Sequence, residues 1–228
     1  MIDLYYWPTP NGHKIPIMLE ECGLAYKTHP INMLKGDQFD PAYLALNPNN
    51  KIPTIVDQDG PGGKPYTVFE SGAILMYLAE KTGMFMPREM AARFEVLQWT
   101  IFQVANVGPM FGQCGHFMQY APKKIQYGID RYQNETKRLY RVMDKRLSIV
   151  PYLAGDYSIA DMATYPWVKI NHFHDINIDE YPHVKRWREA VGSRPAVIKG
   201  CALLEDVMKL GNPDKEAFDN LFNKQKTV

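Results

Sequence analysis

Glu70-Ser71 follows the β-prone run Tyr66–Phe69 and precedes residues at helical spacing, so the pair stands where a strand hands over to a helix. A helix N-terminus presents unpaired N–H groups and partial positive charge, which favour a carboxylate. Ser71 adds a hydroxyl donor, and Glu70 adds an anion that can bind an ammonium. The pair suits the head group of an α-amino acid, which carries both charges; Ser71 as an ordinary N-cap accounts for the same residues. Thr9 and Asn11 stand in a second loop of this kind, Thr9-Pro10-Asn11-Gly12. A chain doing thiol–disulfide chemistry with its own sulfur would carry Cys-x-x-Cys here. This chain has no cysteine before Cys22, which falls on the apolar face of the next helix and reads as a structural thiol. Thr9 and Asn11 offer instead hydrogen bonds to a thiolate brought by a ligand, with the helix end helping to lower that thiol's pKa. Asn11 equally reads as the cap of that helix. Ile52-Pro53 opens a strand: with a cis bond, Ile52 would offer its backbone N–H and C=O to an extended peptide, whereas a trans proline is the commoner arrangement.

The elements that must position these loops follow from periodicity. Ile2–Tyr6 alternates and predicts a strand. After the break at Pro8–Gly12, the spacing of Ile15, Met18, Leu19 and Cys22 predicts a helix from His13, with Pro16 giving up one backbone bond and Gly23 as its stop. Tyr26–Ile31, Ile52–Val56 and Tyr66–Phe69 read as strands, Pro41–Leu46 as a short helix and Ser71–Lys81 as a longer one. The order β-α-β-α-β-β-α makes the first two strands parallel and the last two antiparallel. Residues 82–87 read as a linker. Beyond it the chain is all-helical: Ala91–Phe117, bent or broken at Gly108-Pro109; the amphipathic Lys124–Ser148; a helix running from the capping box Ser158-Ile159-Ala160-Asp161 to about His172; then Pro182–Val191 and Ala196–Leu210. The expected division is 1–82, 88–210 and a surface tail, 211–228, with a helical turn or two near Phe218 and Leu221.

Composition excludes several classes of function. The net charge of +1 gives no global field for nucleic acid or an anionic membrane. Three widely spaced cysteines, Cys22, Cys114 and Cys201, form neither a disulfide framework nor a zinc pattern and point to a reducing, cytoplasmic setting. The N-terminal residues lack the plan of a signal peptide, and no apolar run reaches bilayer length. His172 and His174, two residues apart, do not share a helical face, so no metal site is expected there.

Together, Thr9-Pro10-Asn11-Gly12-His13-Lys14, Asn47–Pro53, Phe69–Leu75, Gly108-Pro109-Met110, Gly112-Gln113 and Arg131–Glu135 carry a resemblance over roughly residues 1–210. The chain resembles the glutathione transferase superfamily: a thioredoxin-like βαβαββα half followed by an all-helical half. More narrowly, it is similar to the Nu-class glutathione transferase-like disulfide-bond oxidoreductases of bacteria and to the fungal nitrogen regulator with a transferase-like domain. The resemblance implies a glutathione-dependent disulfide-bond oxidoreductase that uses bound glutathione, as two molecules or one disulfide per site, in place of a protein cysteine, with no metal. It implies Glu70 and Ser71 on the γ-glutamyl head, Ile52 on the cysteinyl backbone, Gln38 and Lys51 at the glycyl end, and Thr9 and Asn11 at the sulfur. Arg131 would reach a neighbouring subunit's ligand across a homodimer interface. Trp7 and Cys114 depart from the pattern: Trp7 would alter the pocket wall, and Cys114 reads as packing before redox. The rivals are a transferase conjugating electrophiles and a non-catalytic glutathione-binding module.

Overall fold

The computed structural model describes residues 1–207 and 213–223. The first half comprises β1 (Ile2–Tyr6), α1 (Pro10–Glu21), β2 (Tyr26–Pro30), α2 (Pro41–Leu44), β3 (Thr54–Asp57), β4 (Tyr66–Phe69) and α3 (Ser71–Thr82). The sheet order is β2-β1-β3-β4. β1 is parallel to β2 and β3 antiparallel to β4, as their connections lead one to expect, and β1 also pairs antiparallel with β3. Alternation on β1 buries Ile2, Leu4 and Tyr6. They meet Ile15, Met18 and Leu19 of α1 and Ile74, Leu75 and Leu78 of α3.

The helical half follows as α4 (Met90–Phe102), α5 (Gly108–Gly115), α6 (Gln126–Leu147), α7 (Ile159–Lys169), α8 (Pro182–Gly192) and α9 (Pro195–Ala202), with the short α10 (Lys215–Phe218) beyond. One continuous core runs from Leu4 and Ile15 through Phe111, Tyr140 and Met143 to Trp187. The bend expected near Gly108 takes the form of π-turns at Gln103–Val107 and His116–Tyr120, flanking α5.

Six expectations need correction. Helix α1 starts three residues before His13, because Pro10 at the first helical position forfeits an N–H that would be unpaired anyway. Its cap is Thr9, whose Oγ1 accepts from Gly12 N at 3.1 Å; Asn11 is not the cap. Gly12 is no breaker: a Cβ there would lie 2.1 Å from the Trp7 carbonyl, so the tight entry into α1 needs glycine. Likewise, Ser71 is the first residue of α3 and Glu70 occupies the cap position. Helix α9 ends at Ala202, short of the expected run, whose residues 208–210 lie outside the described residues: Tyr6 Oη donates to the Leu203 carbonyl, and Leu204 turns to φ +54°. Finally, the described part of the expected surface tail is docked. Asn220 is 3 % exposed, with its Nδ2 donating to Leu34 O and its carbonyl accepting from Gln38 Nε2.

Candidate functional site

Thr9, Asn11, Lys51, Ile52, Glu70 and Ser71, from three separate loops, line one cleft of about 600 Å³ at the N-terminal ends of α1 and α3. Gln103, Val104, Gly108, Gln113 and Trp167 close it from the helical half, and Leu221 and Phe222 from the docked C-terminal segment. Gln38 and Arg131 are not brought there. Gln38 is 4 % exposed and its Nε2 is committed to Asn220. Arg131 is exposed on α6.

At the α1 end the donors are set by what the protein already uses. Thr9 Oγ1 accepts from Gly12 N, leaving its O–H to donate elsewhere. The Trp167 indole N–H can only donate, and it does so to Asn11 Oδ1 at 3.0 Å. That fixes the amide and leaves Asn11 Nδ2 without a partner among the described residues. A hydroxyl, an amide and a helix N-terminus therefore converge where an anion would be held.

At the α3 end, Glu70 takes φ +69° and ψ 116°, outside the usual wells for a residue with a Cβ, a conformation costing about 1–3 kcal/mol. Asn49 Nδ2 holds its carboxylate at 3.0 Å. Among the described residues no side chain caps α3, which leaves its first N–H groups open to the cleft. The Ile52–Pro53 peptide is cis. The Lys51 carbonyl accepts from Tyr43 Oη and Asn47 Nδ2, which pins the loop and delays β3 to Thr54.

Sequence reasoning assigned no role to two residues behind this end. Lys14 is 1 % exposed; its Nζ donates to Ser71 Oγ at 3.2 Å and to Gln103 Oε1 at 2.7 Å, and burial lowers its pKa to about 7. The available signal was a lysine one turn from the core residue Met18, on the buried face of α1. Gln103 carried no such signal, because its place depends on the π-turn.

Beside the cleft, and sharing Thr9 with it, is an apolar chamber of about 190 Å³ walled by Trp7, Phe111, Trp167 and Phe173. His174 also lines it, fully buried, with neither ring nitrogen partnered among the described residues and its pKa lowered to about 4 by burial. None of the three cysteines lines the cleft or this chamber. Cys114 is fully buried against Met118, and burial raises its pKa. Cys201 faces a separate hollow behind Pro10. Among the described residues, no cluster of His, Cys, Asp and Glu could hold a metal ion, and no helix is long and apolar enough to cross a membrane.

Residues 9–81 match the model of the glutathione S-transferase N-terminal domain, and residues 109–195 that of the C-terminal domain. The chain belongs to the glutathione S-transferase family. It is 53% identical to disulfide-bond oxidoreductase YfcG of Escherichia coli over 207 residues, covering 90% of this chain and 95% of that one. Among solved structures, it is similar to a glutathione transferase family member from Pseudomonas fluorescens with two glutathione bound, at 47% identity and a TM-score of 0.85, covering 88% of this chain and 92% of that one. It is also similar to a glutathione transferase from Pseudomonas putida with one glutathione disulfide bound per subunit, at 44% identity and a TM-score of 0.84, covering 89% and 91%. Tyr6, at the end of β1 just before the α1 loop, is buried and its Oη donates to Leu203 O.

Proposed function

We propose that this protein is a glutathione-dependent disulfide-bond oxidoreductase whose working sulfur belongs to bound glutathione. The observation that carries the reading is the paired donors Thr9 and Asn11 at the α1 N-terminus, in a cleft that no cysteine lines. Glu70, Ser71 and the free N–H groups of α3 take the γ-glutamyl head, Ile52 pairs with the cysteinyl backbone, and Lys51 meets the glycyl end. Gln38 is left out of this set while Asn220 holds it. The name of the relative at 53% identity supports the reading. So do the glutathione and glutathione disulfide carried by the similar structures.

In the first step the glutathione thiolate attacks one sulfur of a substrate disulfide. A sulfur–sulfur bond forms as the old one breaks, and the departing thiolate takes a proton from water. A second glutathione thiolate then attacks the mixed disulfide, releasing the other substrate thiol and leaving glutathione disulfide. The two glutathiones are oxidised as the substrate disulfide is reduced. Such exchange needs a lowered thiol pKa and alignment more than acid–base groups. A supply of reduced glutathione and three free cysteines suit a cytoplasmic setting. The working form is a homodimer in which Arg131, exposed on α6, reaches the ligand of the second subunit.

Replacing Cys22, Cys114 and Cys201 together by Ser or Ala tests the central claim. The folded variant is expected to reduce hydroxyethyl disulfide with glutathione at close to the wild-type rate. A folded variant with almost no activity would overturn it. The apolar chamber beside Thr9 favours a second reading, conjugation of glutathione to an aromatic electrophile. Turnover of an aryl halide well above that of the disulfide would select it.

A further inference from the structure

Lys14 is buried in the wall of the cleft, yet both its hydrogen-bond partners are neutral: Ser71 Oγ and Gln103 Oε1. An ammonium group only donates. Ser71 Oγ must therefore accept from it, which turns the Ser71 O–H toward some other acceptor. Gln103 Oε1 must accept as well, which fixes that amide and leaves Nε2 as a buried donor without an acceptor among the described residues. Ser71 and Gln103 both line the cleft, and the first N–H groups of α3 beside them are uncapped. The polar groups gathered around Lys14 thus present donors, and among the described residues the buried cation has no counter-charge in contact. A lone buried charge is costly until an opposite charge arrives.

We propose that Lys14 is a positioning residue for the α-carboxylate of the γ-glutamyl end: it sets Ser71 and Gln103 as donors and supplies the charge that this carboxylate neutralises. The inference rests on the glutathione reading above and deepens it. The γ-glutamyl head is then held by opposite charges on its two sides, with Glu70 on the ammonium and Lys14 behind the carboxylate.

A consequence is proton uptake. Among the elements packed on Lys14, α3 contributes Ser71 and the charge of Glu70 at its start, and the π-turn contributes the neutral Gln103. Burial pulls the amine down to about 7, and Glu70 opposes that shift. In the free protein the amine loses its proton as pH rises through about 7. An arriving carboxylate favours the charged form, so binding above that pH draws a proton from solution, and affinity falls as pH rises.

S-methylglutathione, which has no ionisable thiol, is the probe. Its titration by calorimetry at about pH 8, in buffers of different ionisation enthalpy, reads the protons taken up. A second probe, S-methylated 4-aminobutyryl-cysteinylglycine, lacks only the α-carboxylate. Wild type is expected to take up a proton with the first probe and not with the second. Lys14→Met should abolish the uptake and weaken S-methylglutathione by about tenfold or more, while changing the affinity of the second probe by less than about twofold. The wild-type measurement stands without the variant, should Lys14→Met fold poorly. Tight binding of S-methylglutathione by wild type with no uptake, or equal uptake with both probes, would overturn the inference and leave the glutathione reading intact. Failure of wild type to bind either probe would overturn both.

Discussion

Thr9 and Asn11 each have part of their hydrogen-bonding capacity spent inside the protein and the rest left for the cleft. Thr9 Oγ1 is occupied by Gly12 N, and Asn11 Oδ1 by the Trp167 indole. What remains is one O–H and one amide N–H₂, donors suited to an anion and poor partners for a neutral thiol. These residues should therefore govern the protonation of a bound thiol rather than its affinity, which the proposed function assigns to Glu70, Ser71 and Ile52. Thr9→Val with Asn11→Ala is expected to lower turnover strongly and raise the pKa of bound glutathione by about one to two units for each donor lost, since each charged hydrogen bond is worth about 1.5–3 kcal/mol. Glu70→Ala or Ser71→Ala should do the reverse, weakening binding and leaving that pKa nearly unchanged. Ultraviolet thiolate absorbance titrated against pH, beside calorimetric affinity, separates the two patterns. Wild-type pKa and turnover in the double variant would reduce the loop to a helix cap.

The elements that hold these residues have their own weak points. The capping box foreseen at Ser158-Ile159-Ala160-Asp161 forms at the start of α7, and Asp161 does more than cap. Its fully buried carboxylate accepts from Leu153 N, Ser158 N and Oγ, and Trp187 Nε1, tying α7 to the preceding loop and to α8. Each carboxylate oxygen takes two of these donors, so Asp161→Asn would face two of them with an N–H₂ group. It is expected to cost about 2–4 kcal/mol, read as a lower midpoint in urea unfolding at unchanged slope. The box was legible because its residues are three apart in sequence. Trp187 as a partner was not, because 26 residues separate it from Asp161. The π-turns flanking α5 were equally hidden. They are single-turn departures from helical spacing, and they place Gln103 and Tyr120 at the cleft and chamber.

Across the whole molecule, the site depends on contacts between parts far apart in the chain. Trp167 sets the Asn11 amide from 156 residues away. The C-terminal segment returns 182 residues later to hold Gln38 and bring Leu221 and Phe222 to the cleft. Phe222 packs on His116 at 4.8 Å between ring centroids, and on Tyr120 and Phe218. It adds an apolar wall but no hydrogen bond to the γ-glutamyl end. Phe222→Ala is expected to raise KM for a disulfide substrate by a few-fold, about the effect of losing apolar contact in a pocket. The affinity for S-methylglutathione should stay within about twofold. Steady-state kinetics beside calorimetry checks this; an equal loss in both would place Phe222 on the first ligand instead.

By itself the sequence determined the βαβαββα order, the all-helical remainder, and the three loops at Thr9, Ile52 and Glu70. All rest on local physics: strand and helix periods, turn residues, and the chemistry of strand-to-helix junctions. Even its errors there were local, as when Pro10 and Gly12 read as breakers although a first-turn proline and a close-packed glycine both belong in α1. Only the tertiary structure decided which groups remain free to act. It committed Gln38 to Asn220, Tyr6 to Leu203 and Cys114 to the core, and it left Lys14, Gln103 and the Asn11 amide facing the ligand cleft. A hydrogen-bonding group has few partners to give, and whether they are already taken depends on residues that the chain supplies from a hundred positions away.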